Sequence, residues 1–95
     1  MNTTPSYYII AYDLNKPRKD YPGLEEQINK FAAQCWILES TWIVKTRHTS
    51  AEIKKLLSAA DRNDDVFIAK IDIVSCAGRL SDEAKKWINA QIGAV

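Results

Sequence analysis

The segment Tyr7-Tyr8-Ile9-Ile10-Ala11-Tyr12-Asp13 constrains this chain more than any other. Six uncharged residues, aromatic or β-branched for the most part, are too short a run for a helix and rich in strand formers. The run therefore reads as a buried central strand. Apolar alternation on both faces of such a strand requires cover on both sides, from helices, from another subunit, or from both.

The polar stretch Leu14-Asn15-Lys16-Pro17-Arg18-Lys19-Asp20 ends the run as a loop, and Pro22 sits where a helix begins. Leu24, Ile28 and Phe31, at i, i+4 and i+7, predict a first amphipathic helix from Pro22 to Gln34. Cys35-Trp36-Ile37-Leu38 and Thr41-Trp42-Ile43-Val44-Lys45 flank Glu39-Ser40 and suggest a hairpin, with one long bent strand as the alternative. Thr49 and Glu52 have capping-box spacing ahead of a second helical stripe, Ile53, Leu56, Leu57 and Ala60. Asp61, Asp64 and Asp65 lie in a polar break that lacks the glycine and distal glutamate of a calcium loop, so they read as a helix-terminating turn. Val66 to Ile73 is the last long strand, with Phe67, Ala69, Ile71 and Ile73 on one face and Asp72 on the opposite one, at a wet surface or a subunit contact. Ser81 caps a third helix that turns Ala84, Trp87, Ile88 and Ile92 inward. The order is β-α-β-β-α-β plus a C-terminal helix. It predicts an α+β fold, a ferredoxin-like antiparallel sheet with an added helix, as a single domain over residues 1–95.

Thirteen basic and twelve acidic side chains give a formal charge of +1, which argues against gripping nucleic acid by bulk charge alone. No apolar run approaches the roughly 20 residues of a membrane span, and the first six residues lack a signal-peptide pattern. The expectation is a cytoplasmic protein with no membrane partner. Cys35 and Cys76 are not a CxxC pair and have only His48 to join them, so a structural zinc site is not expected. Both thiols read as small buried hydrophobes, and Trp36, Trp42 and Trp87 as core or interface anchors. A base-stacking platform is the sharper alternative for the tryptophans and needs them exposed together on one sheet face.

Asp13 closes the buried strand, where rigid backbone holds a carboxylate as metal or catalytic chemistry requires. The competing role is capping the turn at Leu14 or Asn15. One carboxylate is a poor magnesium site unless a second copy, water or phosphate completes it. Lys16, Arg18 and Lys19 follow at once and suit a phosphodiester beside a metal, or simply a solvated loop. Lys45, Arg47 and His48 form a second basic group. With the first and third strands central and running in the same direction, that group would lie near the Asp13 end, with His48 as a candidate acid or base.

Several of these segments together resemble a known family. Tyr8-Ile9-Ile10-Ala11-Tyr12-Asp13-Leu14 is similar to the first strand of the CRISPR-associated protein 2 superfamily. Leu38-Glu39-Ser40-Thr41-Trp42 is similar to its Gln-x-Ser-x-Phe segment, and Asp64-Asp65-Val66-Phe67-Ile68 to its entry into the fourth strand. Tyr12-Asp13-Leu14-Asn15-Lys16-Pro17, Lys19-Asp20-Tyr21-Pro22 and Ser40-Thr41-Trp42 bring the likeness closest to the SinR-like branch, which is related to VapD-type toxins. The resemblance spans about Tyr8 to Ile73. Leu38 stands where that family often has glutamine, and the helix from Ser81 stands where it has a partner-pairing strand. The resemblance implies a homodimer and, in members with nuclease activity, a Mg2+ ion held by strand-end aspartates. It implies Asp13 as metal ligand and catalytic residue, with Ser40 a lesser catalytic candidate. Lys16, Arg18, Lys19 and Arg47 are the expected nucleic-acid contacts, and no small-molecule cofactor is expected. A non-catalytic dimeric scaffold, binding nucleic acid or protein, is the alternative.

Overall fold

In the computed structural model, β1 (Ser6–Tyr12) lies inside a four-stranded sheet with β2 (Ala33–Leu38), β3 (Thr41–Thr46) and β4 (Val66–Ile71). The residues described are 4–13, 22–60 and 65–93. Strand order is β2-β3-β1-β4, and every neighbouring pair is antiparallel. Three helices, α1 (Pro22–Ile28), α2 (Ser50–Ala60) and α3 (Asp82–Gly93), complete an α+β architecture.

Alternation along β1 feeds two separate cores. Tyr8, Ile10 and Tyr12 join Trp42 and Val44 of β3 on one face, where Ile28, Phe31, Ile53 and Leu57 cover them. Ile10, Ile28, Val44 and Ile53 are fully enclosed, each contributing about 1.5–3 kcal/mol by leaving water. On the opposite face Tyr7, Ile43 and Ile73 pack with Ile71 and with Trp87, Ile88 and Ile92 of α3. The result is three layers, with the sheet in the middle.

The helix ends follow from local chemistry. Thr49 and Glu52 form the reciprocal cap of α2: the Thr49 N–H donates to Glu52 Oε1 at 2.8 Å and the Glu52 N–H to Thr49 Oγ1 at 3.2 Å. Ser81 Oγ accepts the Ala84 N–H at 3.2 Å and starts α3. Ile53 and Leu57, at i and i+4, carry the buried stripe of α2, whereas Leu56 flanks it and is exposed.

Four expectations need correction. The first helix stops at Ile28 rather than Gln34: the Lys30 and Phe31 N–H groups bond three residues back, to Gln27 and Ile28, which tightens and ends the helix. Ala33 and Gln34 then pair with Lys45 and Val44 as the start of β2. The last strand ends at Ile71, because Asp72 turns the chain into a short 3-10 turn over Ile73–Ser75, accepting the Val74 N–H at 3.2 Å. Cys76 is exposed just after that turn and only Cys35 is partly buried; both are free. Finally, β1 and β3 are both central, but they are antiparallel.

Residues 33–46 form the hairpin, with a two-residue turn at Glu39-Ser40 and a bulge between Trp36 and Leu38. The Trp36 indole N–H closes this turn on the Glu39 carbonyl at 3.1 Å. Among the described residues, no helix is long and apolar enough to cross a membrane.

Candidate functional site

Asp13 owes its position to the last residue of β1. The Tyr12 side chain is buried, and its hydroxyl accepts the Trp42 indole N–H at 3.2 Å. The Tyr12 N–H donates to the Ser40 carbonyl at 3.1 Å, and the Asp13 N–H donates to the Asp65 carbonyl at 3.1 Å. Asp13 is thereby fixed between the β2–β3 turn and the residue that opens β4. Asp13, Ser40 and Asp65 line one concavity of about 290 Å3, together with Tyr12 and Phe67.

Two acidic residues of one chain thus line one strand end, where the sequence pointed to one. The register makes this unavoidable: Tyr12 faces Val66 across an antiparallel pair, so the next residue of β1 lies beside the preceding residue of β4. Reading Asp65 as part of a turn between elements misses this, because the signal lies in strand pairing rather than in local spacing. Both aspartates are exposed. Among the described residues, no hydrogen bond or ion pair engages either side-chain carboxylate. The turn residues Leu14 and Asn15 lie outside the described residues.

Two carboxylates and a hydroxyl are hard oxygen donors, the set magnesium takes when it keeps several of its own waters. A group of three or more His, Cys, Asp or Glu suited to a metal does not occur among the described residues. What is present fits a weakly held, water-rich Mg2+ rather than a protein-caged ion.

Of the predicted nucleic-acid contacts, Lys16, Arg18 and Lys19 lie outside the described residues. Arg47 is placed at the wrong end of the sheet for Asp13. Because β3 runs opposite to β1, Thr46 pairs with Ser6, and Arg47 continues beyond it. The eight residues separating that level from Asp13 correspond to roughly 26 Å at ~3.3 Å per residue. His48 travels with Arg47 and is no acid or base for Asp13. Its Nδ1 stands 3.8 Å from Glu52 Oε2, and its ring makes an edge contact with Phe31. Lys45 Nζ sits 5.6 Å from the centre of the Tyr7 ring. The Glu52 carboxyl is held below its ordinary range, mainly by the Thr49 N–H and further by the Thr49 hydroxyl and His48.

The tryptophans make no shared platform. Trp42 is buried beneath α1 and α2, its cross-strand partner Trp36 is exposed at the sheet edge, and Trp87 packs edge-on against Tyr7 on the other face at 6.5 Å. Cys35 has its thiol pushed up by partial burial and, secondarily, by the Glu83 carboxylate. No protein-family model, curated protein or solved structure matches the chain.

Proposed function

We propose that this chain is a Mg2+-dependent endonuclease, hydrolysing phosphodiesters of RNA or DNA, with a ferredoxin-like fold of the kind found in the CRISPR-associated protein 2 superfamily and its SinR-like branch. The order β2-β3-β1-β4, fully antiparallel, with α1 and α2 on one face, supports the fold assignment. The observation that carries the activity is the Asp13–Asp65 backbone bond at 3.1 Å, which brings two acidic residues, with no side-chain partner among the described residues, and Ser40 to one strand end.

Asp13 and Asp65 are the metal ligands in this reading, and Ser40 positions a phosphate oxygen through its hydroxyl. Bound there, Mg2+ supplies Lewis acidity to the phosphodiester and lowers the pKa of a coordinated water. Asp13 and Asp65 would hold the ion, and the same carboxylates would orient a water toward phosphorus opposite the departing oxygen. Phe67, 67% exposed on the rim of the same concavity, supports a homodimer contact that would set two such aspartate pairs face to face. A cytoplasmic setting accords with this reading.

One observation favours the alternative, a non-catalytic dimeric scaffold: among the described residues no histidine or lysine lines this concavity, and its ionisable or hydroxyl groups are those of Asp13, Asp65, Ser40 and Tyr12. Cleavage of single-stranded RNA and DNA in Mg2+ and in EDTA separates the two. The nuclease reading expects Mg2+-dependent cleavage lost at least about a hundredfold in Asp13→Asn and in Asp65→Asn. Equal cleavage by the variants contradicts it. Salt-sensitive binding without cleavage would give the chain to the scaffold reading.

A further inference from the structure

We propose that the trough between α3 and the sheet binds an amphipathic carboxylate, its hydrocarbon body on the sheet isoleucines and its acid group on Arg79. The trough follows from how α3 is seated. Trp87 stands edge-on to Tyr7, and the Tyr7 hydroxyl donates to Gln91 Oε1 at 2.8 Å, so the helix is anchored over the β1 start. Toward the middle of the sheet the layer does not close, and a cavity of about 580 Å3 remains. That volume lies within the about 300–1,000 Å3 of small-molecule sites.

Its floor is Ile9, Ile43 and Ile71, its wall Ile88 and Ile92, and residues 76–80 run along its mouth. Burying a hydrocarbon body against these side chains is favourable in proportion to the area removed from water. The charge at the mouth then selects the head group. Among the described residues no carboxylate lines the cavity, and the cations that do are Arg79 and Lys85. Lys85 is ion-paired to Asp82 at 3.5 Å. No described residue pairs with Arg79. A guanidinium beside an apolar cavity accepts a carboxylate in the bidentate geometry that Arg favours. A cationic amphiphile meets repulsion there, and a sugar phosphate leaves the isoleucines unsatisfied.

The test is calorimetric titration with sodium hexanoate, octanoate and decanoate, and with decyltrimethylammonium, alongside iodoacetamide labelling of Cys76, which lines the cavity. The expected result is one decanoate per chain, binding tightened about fourfold per methylene. Decanoate slows labelling of Cys76 and leaves Cys35 unchanged, and the cationic analogue binds more weakly by about tenfold or more. Arg79→Glu weakens decanoate by about tenfold or more while the thermal midpoint stays in place, and Arg79→Lys retains part of the affinity. The proposal is overturned by absent binding, by equal binding of the cationic analogue, by unprotected Cys76, or by an Arg79→Glu protein that binds decanoate normally. Sedimentation showing a dimer that excludes decanoate also overturns it and assigns the trough to a second copy.

Discussion

The two ends of the sheet differ in what their described charged side chains are doing. At the β3 exit, Lys45 lies over Tyr7, His48 is held between Phe31 and Glu52, and the Thr46 hydroxyl accepts the His48 N–H at 3.2 Å. These groups are occupied in contacts with β1, with Phe31 and with α2. At the β1 exit, Asp13 and Asp65 are fixed by backbone, and their carboxylates have no described partner. A charged residue whose backbone is tied and whose head group is left over is available for a ligand, whereas one already engaged is structural. On the proposed reading, this difference is what would set a site apart from a merely charged surface.

The largest expected effect sharpens this contrast from beneath. Trp42→Ala removes the buried ring that carries Tyr12 and should cost about 3–5 kcal/mol in chemical denaturation. It should also abolish any Asp13 activity by loosening the platform. A loss below about 1 kcal/mol would show that Asp13 is not braced as described.

At the basic end, Thr49→Ala should cost about 1 kcal/mol through loss of the α2 cap. The Glu52 half of that cap has its own pH signature. Its carboxyl is depressed in the folded chain, so its contribution is complete above the unfolded value near pH ~4.3 and disappears as pH falls through the lower folded value. In Glu52→Gln that acid-side loss should disappear, as read from thermal midpoints between pH 2 and 7; an unchanged profile would contradict the cap assignment.

The smallest stability effect belongs to the acidic end. Asp13→Asn and Asp65→Asn should each shift stability by no more than about 0.5 kcal/mol, toward greater stability if anything, since each removes a like charge from the pair. A large destabilisation by either would make it a structural residue and erase the contrast.

Much of this was legible in the chain. Tyr7 to Tyr12 is the central strand because a short apolar aromatic run has few other uses, and Thr49, Glu52 and Ser81 cap helices because their spacing matches the orphan N–H groups there. Asp13 and Ser40, which the resemblance pointed to separately, line one concavity. Asp65 was hidden because its neighbour is 52 residues away in sequence, and only the direction of β4 brings it to Asp13. Arg47 and His48 were misplaced for the same reason, since residue types fix the strands but not which way β3 runs. Asp72 and the end of the last strand went astray through local competition, a side chain capturing backbone N–H groups that continued pairing would have used.

The most direct test of the Asp13–Asp65 site is a MgCl2 titration of the isotope-labelled chain, followed by amide chemical shifts. The account predicts saturable shifts at Asp13, Ser40 and Asp65, none at Arg47 or His48, and their loss in Asp13→Asn. Shifts absent at the strand end, or unchanged in that variant, would contradict it.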